Sequence, residues 1–199
     1  MRLKLSTGPW AAVLGGSVLI GPLLLQIGSE PGPALAAPAD ARDAGLRAFD
    51  QVALVLRHPR CLNCHTTTNF PGQGDDRHPH VNLVRRGLDD RGVPGMRCAT
   101  CHQSEENLAS GVPGRPNWRL APLSMGWEGL SDSELCRAFK DQRRNGGRSP
   151  EALAEHLRSD ALVSYGWNPG GSRTPVPVPR EEVARLMDVW VHAGAPCSR

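Results

Sequence analysis

The sequence predicts a mainly α fold in which short helices are joined by long ordered loops, with no substantial sheet. Three observations carry this expectation. Apolar residues recur at helical spacing in four separate segments, no segment sustains the alternation of a strand, and 18 prolines and 22 glycines punctuate the 199 residues.

The chain opens with a basic start at Arg2 and Lys4, an apolar stretch from Trp10 to Ile27, and a small-residue site at Ala34-Leu35-Ala36. These are the parts of an export signal, so residues 1–36 are expected to be cleaved and 37–199 to form one domain. The alternative is a retained membrane anchor, since Pro9 to Ile27 nearly reaches the length of a spanning helix. Gly15, Gly16, Gly21 and Pro22 interrupt that stretch. Without residues 1–36 the chain has 21 basic and 19 acidic residues, which is no nucleic-acid footprint.

The first helix is expected over Asp43 to Leu56, with Leu46, Phe49, Val52, Ala53 and Leu56 on one face and Pro59 stopping it. The string Cys61-Leu62-Asn63-Cys64-His65 follows directly. Asn69 to Gly95 reads as an ordered loop, with Val81, Val84 and Leu88 expected to share one side of a short helical turn as buried anchors. A second string, Cys98-Ala99-Thr100-Cys101-His102, comes next. Ala109 to Gly129 is again irregular, and its Trp118, Met125 and Trp127 suggest packing against a cofactor.

Ser131-Asp132-Ser133-Glu134 is a capping box opening a helix to about Asp141, with Leu135, Ala138 and Phe139 on one face. Ser149 caps another helix with Pro150 in its first position, placing His156 on the same face as Leu153 and Leu157. The clearest amphipathic pattern runs from Arg180 to Ala193 through Val183, Leu186, Met187, Trp190 and Val191.

Four of the six cysteines fall in the two Cys-x-x-Cys-His strings. That spacing suits covalent c-type haem: the thiols form thioethers with the vinyl groups, and the adjacent histidine binds the iron. Zinc ribbons use closer knuckles, and a thioredoxin-like pair needs a βαβ context that is missing here. Chance placement of His after both pairs is roughly one in 800 by composition. Two haems, on Cys61, Cys64, Cys98 and Cys101 with His65 and His102 as proximal ligands, are therefore expected. Their buried apolar surface would offset an aromatic content of only 5%. Cys136 and Cys197 remain, and an exported protein is expected to join them in a disulfide.

The distal ligands stay open at this point. His80, in the loop between the two strings, His156, on its apolar helix face, and Met125, downstream of the second string, are the candidates. His78 shares the loop of His80. His58 and His192 read as local or surface residues, and Met187 reads as core. Met96 lies too near its own string to reach across that macrocycle.

The strings His58-Pro59-Arg60-Cys61-Leu62-Asn63-Cys64-His65, Gly74-Asp75-Asp76, His78-Pro79-His80, Gly95-Met96-Arg97-Cys98-Ala99-Thr100-Cys101-His102 and Gly166-Trp167-Asn168-Pro169-Gly170 cover most of the chain after the leader. In these the sequence resembles small exported bacterial dihaem c-type cytochromes, some labelled cytochrome-like subunits of isoquinoline oxidoreductase. The resemblance favours His80 and His156 as distal ligands without assigning either to an iron. It implies cytochrome c-like helices and loops wrapped around two covalent haems.

The expected function is one-electron transfer in the periplasm, from a dehydrogenase or quinol-linked donor to a terminal acceptor. The alternatives are a dihaem enzyme of peroxidase type with one open axial position, or a cytochrome subunit of a dehydrogenase complex. A haem-based sensor would need an output domain or a stable partner.

Overall fold

A computed structural model describes residues 38–199; the expected leader and its site at Ala34-Leu35-Ala36 lie outside the described residues. The architecture is mainly helical. Helix α1 (Ala39–Leu56) begins four residues before the expected start at Asp43, because Ala39, Ala41 and Arg42 favour helix without adding much apolar signal. It buries Phe49, Val52, Val55 and Leu56. Short α2 (Pro59–Leu62) is capped by His58, whose Nδ1 accepts from the Arg60 N–H at 3.2 Å. His58 thus has a local task, with Pro59 in the first-turn position that loses no hydrogen bond.

Two minimal antiparallel ladders stiffen the loops. β1 (Gly72–Gln73) pairs with β2 (His78–Pro79), and β3 (Gly92–Val93) pairs with β4 (Met96–Arg97). α3 (Cys98–Cys101) follows directly on the second ladder.

Three longer helices complete the fold. α4 (Asp132–Lys140) opens on the full capping box: the Ser131 hydroxyl accepts from the Glu134 N–H, and the Glu134 carboxylate accepts from the Ser131 N–H. α5 (Pro150–Ser159) is capped by Ser149, which accepts from the Ala152 N–H. α6 (Arg180–His192) buries Val183, Leu186, Met187 and Trp190.

α6 packs against both α1 and α5, and α4 lies on α1. Phe49, Phe139 and Trp190 meet at the centre, with Phe49 and Trp190 ring centres 5.2 Å apart. The α1–α6 approach requires Gly45, where a Cβ would stand 2.5 Å from the Ala193 Cβ. Among the described residues no helix is long and apolar enough to cross a membrane.

Cys136 and Cys197 form a disulfide, with Cα atoms 5.7 Å apart. The tail is also held by Lys140 donating to the Ala195 carbonyl at 2.7 Å and by the Trp190 indole donating to the Pro196 carbonyl at 2.9 Å.

The loop from Asn69 to Gly95 departs from the sequence expectation in its anchor. Val81 and Leu88 are exposed, at 67% and 110%, and form no helical turn with Val84. Leu83, at φ 50°, takes the left-handed conformation and breaks the right-handed path that would have aligned them. The buried residue is Arg86, at 4% exposure. Its guanidinium donates to the Ala121 carbonyl, the Asp90 carboxylate, the Thr66 hydroxyl and the Thr68 carbonyl, tying three stretches of loop together. Apolar periodicity cannot detect an anchor made of hydrogen bonds.

Candidate functional site

The two Cys-x-x-Cys-His strings fold alike. The His65 N–H donates to the Cys61 carbonyl at 3.0 Å, and the His102 N–H donates to the Cys98 carbonyl at 2.9 Å. Each string therefore makes a helical turn, which brings the two cysteines, three residues apart, onto one side. Cys61, Cys64, Cys98 and Cys101 are not joined in disulfides. Burial pushes the Cys61 thiol up to about 12 and the Cys64 thiol up to about 11, outweighing the opposing effect of nearby Arg60. These are neutral thiols near pH 7, unlike the activated thiolates of redox-active pairs.

Each histidine of the strings is oriented from behind by a carbonyl. His65 Nδ1 lies 2.9 Å from the Met125 carbonyl oxygen, and His102 Nδ1 lies 2.7 Å from the Pro113 carbonyl oxygen. A carbonyl only accepts, so each Nδ1 carries the proton and each Nε2 keeps its lone pair.

The loops that supply these carbonyls are built for it. Ala121 and Trp127 donate their N–H groups to the Cys64 and His65 carbonyls, and a 3-10 turn at Leu123–Met125 sits between them. After His102 the chain reverses through Asn107, whose side chain accepts from the N–H groups of Ala109 and Ser110. Gly114 then crosses so close to Glu105 that a Cβ would stand 1.9 Å from its carbonyl oxygen. Glycine there is what brings Pro113 against His102.

Tryptophans stack on both imidazoles. His65 and Trp127 have ring centres 3.4 Å apart with planes 11° from parallel, and His102 and Trp118 have centres 4.2 Å apart at 2°. The tryptophans expected to meet a cofactor thus rest on the histidines.

The two imidazoles open into two cavities. The first, of about 370 Å³, is lined by Cys61, Cys64, His65, Met125 and Trp127 on one side and by Leu153, His156 and Leu157 of α5 on another. The second, of about 580 Å³, is lined by Cys98, Cys101 and His102 together with His80, Val81 and Met96. His156 is therefore brought to the first string and His80 to the second. The His80 and His102 ring centres are 6.3 Å apart with planes at 77°.

Asp160, one turn beyond His156 on the same side, holds a carboxylate oxygen 3.4 Å from His156 Nδ1. The Asn82 N–H lies 3.4 Å from His80 Nδ1, too long to fix that ring's tautomer. His78, by contrast, bonds Asp76 at 2.6 Å, and exposed His192 donates to the Asp188 carbonyl. Met187 is wholly buried core.

Burial is the leading cause that lowers all four cavity histidines. It takes His65 to about 4, against the opposing Met125 carbonyl bond, and lowers His102, His156 and His80 as well. They are neutral near pH 7, the form that offers a lone pair to a metal. Among the described residues no group of three or more His, Cys, Asp or Glu side chains gathers to hold a metal. Each cavity is lined instead by two neutral imidazoles, His65 with His156 and His102 with His80.

Sequence reasoning missed Arg60, Tyr165, Asp160 and Trp118's contact with Tyr165. Asp160 had a signal in its i, i+4 spacing from His156. The Gly166 to Gly170 string now has a structural reading: Gly170, at φ 71°, packs so tightly on Glu106 that a Cβ would stand 2.0 Å from its carboxylate. Arg173 pairs with Glu106, and Arg115 donates to the Asn168 carbonyl, so the string clamps the loop that carries Pro113.

Comparison of the chain with protein-family models, with curated proteins and with solved structures finds no match.

Proposed function

We propose that the chain is an electron-transfer protein carrying two covalent haems, with His65 and His156 as axial ligands in the first cavity and His102 and His80 in the second. The observation that carries this reading is the paired arrangement. Each cavity has a Cys-x-x-Cys-His turn, a histidine with its Nδ1 proton held by a carbonyl, and a second neutral histidine.

The residues fit the group. In the second cavity His80 and His102 stand close enough that both would be able to hold one iron. Their ring centres are 6.3 Å apart. The first cavity also presents Arg60, Arg91, Arg119 and Arg148, and the second Arg60, Arg85, Arg97, Arg119 and Arg173, cations suited to haem propionates. Met125 gives its carbonyl to His65, so we place it with the proximal side as a positioning residue.

Haem c supplies a reversible one-electron couple. The chain's residues tune it. The Asp160 carboxylate, 3.4 Å from His156 Nδ1, adds a negative charge on the distal side of the first cavity. Leu56, Phe139, Leu153 and Leu157 give the first cavity an apolar side. With both histidines of a cavity bound to it, a haem would have no open position for substrate, which favours transfer over peroxidase chemistry.

On this reading the protein works in the periplasm between a dehydrogenase or quinol-linked donor and a terminal acceptor, alone or as a cytochrome subunit. Low-temperature paramagnetic resonance with visible absorption tests it. The expected result is two low-spin irons that bind no carbon monoxide; a high-spin component that binds carbon monoxide or peroxide would move the case to catalysis.

A further inference from the structure

The two cavities share a wall made by Arg60, Cys64, Trp118, Arg119, Leu120 and Tyr165. Arg60 is the buried cation in it, with its side chain only 2% exposed. One terminal nitrogen pairs with Asp75, the other donates to the Tyr165 hydroxyl at 3.2 Å, and Nε is buried without a partner. An unpaired buried guanidinium N–H is costly, and its natural complement is a carboxylate.

Tyr165 adds a second donor. Its oxygen accepts from Arg60, so its O–H is free to point elsewhere, and burial pushes the phenol up so that it keeps this proton. Asp75 is itself tied to Thr174 through both the N–H and the hydroxyl, which holds Arg60 in place from the loop side.

We propose that Arg60 and Tyr165 form a carboxylate-binding site common to both cavities, whose ligand is a haem propionate, so that one cation acts on both irons. This rests on the two-haem reading. The other charged or titratable groups around the wall are Asp75, His58, Arg86, Arg119 and Arg173. Asp75 partly offsets Arg60. Asp90 pairs with Arg86 and Glu106 with Arg173, so Arg119 is the further cation at the wall with no ion pair among the described residues.

The test uses mature holoprotein with haem labelled with carbon-13 at the propionate carboxyls. Redox-difference infrared spectra and the two midpoint potentials are read for the natural chain and its variants. Arg60→Gln should shift the labelled carboxylate band and lower both potentials, because a cation on both cavities favours both reduced irons. Arg148→Gln, which lines the first cavity alone, should lower one potential. Arg60→Lys should recover much of the potential without restoring the band, since an ammonium lacks the guanidinium fork.

Tyr165→Phe removes a donor without removing a charge, and should move the same band even where Arg60→Gln fails to accumulate. An unmoved band in Arg60→Gln or Tyr165→Phe chains bearing both haems overturns the proposal, as does a potential shift confined to one haem. A natural chain whose mass shows no haem defeats the two-haem reading itself, before any variant is made.

Discussion

At the scale of residues, the four cavity imidazoles have different supports. His65 and His102 are oriented by main-chain carbonyls, whereas His156 and His80 each have only a contact of 3.4 Å at Nδ1, to the Asp160 carboxylate and to the Asn82 N–H. His156→Ala and His80→Ala should each open one iron. Each variant is expected to bind about one equivalent of carbon monoxide per chain and the natural protein none, as read by visible titration. Binding by neither variant would remove these residues from the irons.

The same imidazoles set a pH dependence. Burial lowers His65 to about 4 and lowers His102 and His156, whereas in the unfolded chain they take up protons below about 6.5. Between those limits the unfolded state binds more protons, so stability falls as pH drops from 6.5 towards 4. The urea midpoint of the chain without haem should be lower at pH 5 than at pH 7; an equal or higher midpoint at pH 5 contradicts it.

At the scale of elements, packing and propensity compete at Gly45. Glycine in a helix costs about 1 kcal/mol relative to alanine, which alone would make Gly45→Ala stabilising. The added Cβ would meet the Ala193 Cβ at 2.5 Å, between two helices that cannot easily part. Overpacking costs about 1 to 3 kcal/mol, so the net effect should be destabilising by up to about 2 kcal/mol in chemical denaturation.

The helices were legible because capping and apolar spacing are local signals. The Ser131 box, Ser149 with Pro150, and the stripe from Val183 to Trp190 appear where their residues put them. The loops were legible only as loops. Arg86 holds its segment through partners 4 to 35 residues away, and Leu83 adopts a conformation that its residue type does not announce. Of the candidate site, the two strings and the apolar face of His156 could be read directly. The pairing of His156 with the first string and His80 with the second depends on how α5 and the inter-string loop fold back, which spacing does not encode.

At the scale of the molecule, the helical core and the C-terminal tail are closed by the bridge between Cys136 and Cys197, 61 residues apart. Loop closure of that length contributes about 4 kcal/mol in the chain-entropy model. Replacing both cysteines with serine should lower the unfolding free energy by about that amount and leave the visible spectrum unchanged. A spectral change would mean that the bridge shapes the cavities as well as the stability.

The central claim is that both strings carry haem through thioethers, and mass spectrometry of protein matured with haem-attachment machinery addresses it most directly. After extraction with acidic acetone, the protein should stay red and weigh its amino acids plus two haem groups. A colourless polypeptide with the mass of its residues alone would contradict the account.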